Sequence, residues 1–196
     1  MLSIAGYGGG GSLKAEDDVS SDDNRGVVNY GGSVWAVVAK HLLIAGDYDF
    51  LSADLDAGET LDIGRWTFGL GYVGPVSRSV AWYIKGFATG QKWDLHNDPV
   101  CGQCGSNRTG GGAGGGVVIA FAERWGARLD GAIDYVGEDG GAPSITEGLF
   151  EGRIEFKPVP NLGLWAGYLT RFDYVDTPNN AHVNIITARA GLALEF

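Results

Sequence analysis

The chain has 196 residues, enough for one domain with a substantial core, and its 34 glycines argue against a helical protein. The formal net charge of −10 argues against a nucleic-acid partner, because no basic surface is available to neutralise phosphates. The mean hydropathy is −0.01, and no apolar run approaches the roughly 18 to 20 residues of a membrane-spanning helix. A strand protein of the membrane is not excluded, since alternation averages lipid-facing residues with polar ones.

Apolar and polar residues alternate in blocks separated by clusters of Gly, Asp, Asn and Pro, as is typical of strands and turns. A period of 3.6 residues never persists for ten residues, so the pattern predicts no helix. The blocks predict ten strands, at 2–12, 27–39, 42–54, 61–73, 79–93, 113–123, 126–136, 146–157, 162–175 and 182–196. Eight strands are the alternative count. We expect residues 1–196 to form a single all-β domain.

Short and long connections take turns along the chain. The tight turns fall at 40–41, 74–78, 124–125 and 158–161. The longer polar connections fall at 13–25, 94–111 and 137–144, with briefer ones near 55–60 and 176–181. Tight turns on one rim and longer loops on the other are typical of an antiparallel up-and-down transmembrane β-barrel. An even strand count places both chain ends at the short-turn rim, opposite the long-loop rim.

Alternation also assigns the two faces of each strand. One face is apolar, as in Trp66, Phe68, Leu70 and Tyr72. The other face carries charges, many of them in mid-strand: Asp47, Asp49, Arg65, Lys85, Arg128, Asp130, Asp134, Glu151, Arg153, Glu155, Arg171, Asp173, Arg189 and Glu195. A soluble barrel would have an apolar interior, so this pattern favours a polar lumen and a lipid-facing exterior. Ion pairs that plug the narrow lumen are the favoured interpretation, and a selective pore lining is the alternative.

Outward aromatic residues form two groups. Tyr72, Trp82, Phe121, Phe156 and Phe196 fall near the short-turn rim. The second group falls near the long-loop rim and comprises Tyr30, Tyr48, Phe50, Tyr135, Phe172 and Tyr174. Two aromatic girdles around an aliphatic band are what the two membrane interfaces favour.

The final strand ITARAGLALEF and the blocks WTFGLGYVGPV and LGLWAGYLTRFDYV resemble those of the small bacterial outer-membrane β-barrels, of the OmpA/OmpX-type, porin-like superfamily. The resemblance implies a Gram-negative outer membrane, contact with its lipid and lipopolysaccharide, and folding by the barrel-assembly machinery. Leu192, Leu194 and Phe196 match the terminal recognition signal of that family. No signal peptide is visible at the start of the chain, and we expect that an export segment has been removed.

Two dipeptide spacings suggest an enzyme as an alternative. Asp54 with Asp56, and Asp94 with His96, each place two polar groups two residues apart near the long-loop rim. They resemble the site of omptins, ten-stranded outer-membrane proteases in which an Asp pair faces an Asp/His pair across the barrel mouth and could activate a water. Acidic loop edges are common, so the favoured interpretation is that the protein is not an enzyme.

Cys101 and Cys104 form a CxxC spacing in the longest predicted loop. A second ligand pair for zinc is missing and no helix follows, as a redox motif would need. A small loop disulfide is the favoured prediction for an exported protein.

The first long loop is strongly acidic, and Asp18, Ser20, Asp22 and Asn24 alternate as at the start of a calcium loop. The Gly and the closing Glu of an EF-hand are absent, so a solvated loop is the default. A divalent cation that bridges this loop to lipopolysaccharide phosphates is held as a hypothesis. The sequence predicts no resident metal and no cofactor.

Taken together, the patterns predict an outer-membrane barrel with a structural or surface-interaction role. The connections 13–25 and 94–111 are the expected contact surfaces for an extracellular or envelope protein. The alternatives are a narrow passive pore for small solutes or ions, and an omptin-like hydrolase.

Overall fold

The computed structural model describes residues 1–16, 25–55, 58–77, 79–98, 102–137, 143–176 and 181–196. Ten strands account for nearly all of them: β1 Leu2–Glu16, β2 Arg25–Val38, β3 Leu42–Asp54, β4 Thr60–Pro75, β5 Val80–Asp98, β6 Gly102–Ala122, β7 Trp125–Val136, β8 Ile145–Val159, β9 Leu162–Val175 and β10 Ala181–Glu195. In the described part of the chain, no helix is long and apolar enough to cross a membrane.

The strands form one closed barrel in which each strand pairs antiparallel with its neighbours in sequence, and β10 pairs with β1. The predicted ten-stranded up-and-down fold is thereby confirmed. A row of directly paired residues that starts at Ile4 returns to β1 at Glu16, twelve residues further along. This shear implies a strand tilt of about 40° and a backbone diameter of roughly 20 Å. Side chains from opposite walls can therefore meet inside.

The predicted loop at 94–111 is wrong. β5 continues to Asp98 and β6 begins at Gly102, and the two strands pair up to these two residues. The glycines that suggest a loop belong to the sheet: a Cβ on Gly110 or Gly112 would lie 1.8 or 2.3 Å from a backbone oxygen of β7. Only glycine allows this close approach of two strands.

The apolar side chains face outward. Large hydrophobic residues that are at least two-fifths exposed line the outside of the strands, and they include Val28, Tyr48, Phe68, Leu70, Ile84, Ile133, Phe150, Tyr168, Phe172 and Leu192. The inward positions of the same strands hold buried polar and charged residues, among them Arg65, Asp134, Glu147 and Arg171. Some girdle aromatics pack on each other, such as Tyr30 on Phe50 with ring centroids 4.9 Å apart. An apolar exterior around a charged interior is the arrangement of a membrane barrel.

Candidate functional site

The half of the lumen next to the long-loop rim is closed by a buried charge cluster, which we call the outer plug: Arg65, Asp134, Glu147, Arg171 and Asp173. Glu147 stands at its centre, with Oε1 2.7 Å from Arg65 Nε and Oε2 2.8 Å from Arg171 Nη2. The side chain of Glu147 has no solvent exposure. One carboxylate on β8 thus joins β4 to β9 across the inside of the barrel.

Two further carboxylates complete the outer plug. Arg65 Nη2 donates to Asp134 Oδ2 at 2.8 Å, so the guanidinium joins β4 to β7 as well. Arg171 pairs with Asp173 two residues further along β9, with Nε and Nη2 contacts of 2.7 to 2.9 Å. Gln91 extends the network by donating to Glu147 Oε2 at 2.8 Å. Buried charges of this kind are tolerated only when they are paired, and every charged side chain of the cluster has an ion pair and at least one of its atoms in a hydrogen bond.

The rest of the same half of the lumen is apolar. A buried cluster comes from the inward faces of β1, β2, β3, β4 and β10 and consists of Leu13, Val27, Leu51, Ala53, Ile63, Val183 and Ile185. Trp93 of β5 packs against it. The apolar cluster and the outer plug together fill the lumen near the long-loop rim.

The half next to the short-turn rim contains a cavity of about 110 Å³, which we call the inner cavity. Charged side chains that line it include Asp47, Asp49, Lys85, Arg128, Asp130, Glu151, Arg153 and Arg189. Aromatic side chains line it as well, namely Tyr7, Trp35, Tyr83, Phe87 and Trp165. Val118 occupies an inward register position beside Arg128 and is 40% exposed, so the lumen is open to solvent at this end.

Most of the charges in the inner cavity are paired. Arg128 binds Asp130 through Nε and Nη2 at 2.7 and 2.8 Å, and its guanidinium carbon lies 3.5 Å from the ring centroid of Trp35. Arg189 Nη2 reaches across the lumen to both oxygens of Asp49, at 3.0 and 3.1 Å. The Arg128–Trp35 contact joins β7 to β2 and the Arg189–Asp49 contact joins β10 to β3, strands that are not neighbours in the sheet. They hold the walls of the cavity in place.

Two of the expected lumen charges lie outside both regions. Glu195 pairs with Lys157 at 2.6 Å near the short-turn rim. Glu155 is half-buried on β8 and has no hydrogen bond or ion pair with a described residue. Glu147 is not among the predicted lumen charges, although its alternation with Glu151 puts it on the inward face. It lies at the very start of a predicted strand, where the face is hardest to assign.

The residues of the omptin-like alternative lie on the outside of the barrel. Asp54 shares the parity of outward Tyr48, while Asp94 and His96 share that of outward Ile84. They occupy β3 and β5, which flank β4 on one wall, so they do not face each other across the mouth. The structure pairs Asp94 with Lys92 at 2.7 Å, and His96 with Asp62 of β4 at 3.2 Å. Asp56 lies outside the described residues.

The predicted assembly signal lies on the outer face of β10. Leu192, Leu194 and Phe196 are 55%, 48% and 70% exposed, and the backbone of Phe196 pairs with that of Leu2 at 2.8 and 2.9 Å. The signal therefore stands at the seam where the last strand meets the first. Its recognition by the assembly machinery stays a prediction.

Two other predictions fall outside the described residues. Cys101 does so, and the side chain of Cys104 is not described, so the disulfide stays a prediction. Asp18, Ser20, Asp22 and Asn24 also lie outside, because β1 ends at Glu16 and the structure resumes at Arg25. In the part of the chain that the structure describes, no group of three His, Cys, Asp or Glu residues could hold a metal.

No family model matches the chain, and a search of curated proteins finds no match. Solved structures do match. The outer membrane protease OmpT from Escherichia coli matches with a TM-score of 0.59 and 8% identity over 99% of this chain and 97% of that chain. An outer membrane channel from Pseudomonas putida F1 matches with a TM-score of 0.55 and 10% identity over 100% of this chain and 95% of that chain. The chain has the fold of an outer-membrane β-barrel. A protease and a channel share this fold, so the fold alone does not assign a role.

Neisserial surface protein A also matches, with a TM-score of 0.49 and 16% identity over 100% of this chain and 97% of that chain.

Proposed function

We propose that the protein is an integral barrel of the Gram-negative outer membrane that is closed in the outer half of its lumen and acts at the cell surface. The apolar exterior between two aromatic girdles supports the membrane location, since only a closed barrel lets strands cross lipid with every backbone group satisfied. The surface role is supported by the filled outer half of the lumen and by the long β5–β6 hairpin.

The burial of the outer plug is the observation that carries the proposal. Arg171 and Asp173 are each 2% exposed and Glu147 is 0% exposed, at the level of the long-loop aromatic girdle. A water-filled pore would hydrate these side chains, as it does the charged linings of porins. Because ion pairs and the apolar cluster fill this half of the lumen, the parts that contact other molecules are the loops and the barrel wall near the long-loop rim.

The β5–β6 hairpin is the contact surface that the proposal favours. β5 has 19 residues and β6 has 21, against 12 to 16 in the other strands. Residues 102–109 of β6 pair only with β5, because the pairing of β6 with β7 begins at Gly110. From the strand register the hairpin rises roughly 14 Å above the ends of β7 and β8. Its outer face carries Lys92, Asp94 and His96 above the aromatic girdle.

Two measurements test the proposal. An epitope tag inserted at 99–101 should be reached by antibody on intact cells, while a tag in the turn at 123–124 should be reached only after the outer membrane is opened. Barrels in lipid nanodiscs, with and without the hairpin shortened by an Asn-Gly turn in place of 95–104, should then be compared for capture of envelope and extracellular proteins. Capture that depends on the hairpin supports a surface role. Equal capture by a shortened barrel that folds contradicts it.

A narrow passive pore is the second candidate, and the inner cavity favours it. Half of the lumen already holds a cavity lined with charge, so displacement of the outer plug and the apolar cluster would complete a path. Conductance in planar bilayers separates the two candidates.

A further inference from the structure

Three arginines stand in one row across the wall of the inner cavity. Arg128 of β7 pairs directly with Arg153 of β8, Arg153 pairs with Gly167 of β9, and Gly167 pairs with Arg189 of β10. Like charges opposite each other on neighbouring strands destabilise a sheet unless each has a counter-charge. The row therefore raises the question of what neutralises each arginine.

The two outer members of the row are neutralised within the protein. Arg128 has the carboxylate of Asp130, and Arg189 has that of Asp49. Arg153, in the middle, has no hydrogen bond or ion pair with any residue that the structure describes. Its Nε is buried without a partner, and its guanidinium carbon lies 5.1 Å from the ring centroid of Trp165.

One carboxylate of the inner cavity is left over in the same way. Glu151 lines the cavity two residues before Arg153 on the same face of β8, and it forms no ion pair with a described residue. Arg128 with Asp130 and Arg171 with Asp173 show that an arginine and a carboxylate at this spacing do pair elsewhere in this barrel. Glu151 and Arg153 stay apart. A cation and an anion without ion pairs to described residues thus lie side by side in one cavity.

The rest of the cavity lining is largely apolar and suits a small hydrocarbon group. Leu169 is 4% exposed and Phe87 8%, and both line the cavity with Leu149. Trp165 is 4% exposed and its indole Nε1–H has no acceptor among the described residues, although buried N–H groups are nearly always bonded. A volume of about 110 Å³ corresponds to roughly four water molecules at about 30 Å³ each.

We propose that the inner cavity binds a small zwitterion of the α-amino-acid class with an aliphatic side chain. Arg153, whose guanidinium lies beside the Trp165 ring, takes the carboxylate, and Glu151 takes the ammonium group. The ligand is electrically neutral, which suits a cavity whose other charges cancel in pairs. It enters from the short-turn rim, because the outer plug closes the other end.

Leucine is the probe, since its carboxylate and ammonium groups match Arg153 and Glu151 and its isobutyl group matches the apolar lining. The full chain is refolded in micelles, and binding is followed by tryptophan fluorescence and calorimetry. We expect saturable binding of leucine, with isocaproate, which lacks the ammonium group, and isoamylamine, which lacks the carboxylate, each weaker by roughly tenfold or more. No saturation up to the solubility limit of leucine, or isocaproate bound as tightly as leucine, would overturn the proposal.

Variants assign the two ends of the ligand. Arg153→Gln and Glu151→Gln should each weaken leucine binding by roughly tenfold or more. Glu151→Gln should do so without changing the affinity for isocaproate. Glu155→Gln, the same change on the same strand outside the cavity, should leave leucine binding as it is. An equal loss in the Glu155→Gln control contradicts the assignment. If a variant fails to fold, the comparison of leucine with its two analogues on the unaltered chain still decides.

Discussion

Replacing Arg65 by methionine tests the energetics of the outer plug. The guanidinium contacts Asp134 at 2.8 Å and Glu147 at 2.7 Å, and the side chains of both carboxylates have no exposure. After Arg65→Met, Glu147 keeps Arg171, but Asp134 loses its one ion pair and hydrogen bond to a described residue. Leaving a buried charge without its partner costs about 3–5 kcal/mol. The folding equilibrium constant should fall by roughly two to three and a half orders of magnitude.

The assay is equilibrium unfolding in urea of barrels inserted in phospholipid vesicles, followed by tryptophan fluorescence. Lys92→Met is the matched control, because it removes a cation from an ion pair on the exposed outer face, with Lys92 63% exposed. We expect this control to cost no more than about 1 kcal/mol. The double variant Arg65→Met/Asp134→Asn should regain part of the lost free energy of unfolding, since it removes the carboxylate that Arg65→Met leaves unpaired. A loss in Arg65→Met no larger than in Lys92→Met refutes the argument.

Three further predictions follow from the orientation of the barrel. Leu70→Lys places a charge on the outer face near the middle of the apolar band and should cost about 2–4 kcal/mol in vesicle unfolding. Ser33→Lys faces the inner cavity and should cost less than half as much. Equal costs would contradict the assignment of faces. Deleting Phe196 should slow assembly in cells while leaving refolding in detergent unchanged, and a matching defect in detergent would argue against a recognition signal. Alkylation of the unfolded protein should modify Cys101 and Cys104 only after reduction, and modification without a reductant contradicts the loop disulfide.

The faces of the strands could be predicted from sequence because a strand has a strict period of two residues. The orientation of β4 follows from comparing the apolar Leu70 and Tyr72 with Arg65 on the opposite face, once the mid-strand charge is assigned to a polar lumen. The same rule places Arg171 and Arg189 inside. This period assigns the face of a residue without knowledge of its ion-pair partners.

The partners themselves depend on the shear of the barrel, which no single strand reveals. Arg189 meets Asp49 across the lumen, although the two residues are 140 positions apart in the chain. The closure of ten strands brings them together. The same geometry leaves Arg153 without a carboxylate, although its sequence neighbour Glu151 suggests a pair.

Beyond the apolar outer band of the barrel, polar and apolar residues no longer alternate. The upper part of the β5–β6 hairpin has water on its outer face, so its residues have no reason to alternate, and 94–111 resembles a loop. The inward apolar cluster around Ile63 and Leu51 is hidden for a related reason. Near the long-loop rim, the lumen of this barrel is packed like a protein core, and the rule of a polar interior fails there.

The most direct test of the closed lumen is single-channel conductance in a planar lipid bilayer, with the unaltered barrel beside the double variant Glu147→Ala/Arg171→Ala. Insertion of both proteins is established first by their resistance to added protease. The unaltered barrel should give no stable open steps, and the double variant, which loses the centre of the outer plug, should give steps of reproducible size. Stable steps of the same size from both proteins would show that the outer plug does not close the lumen.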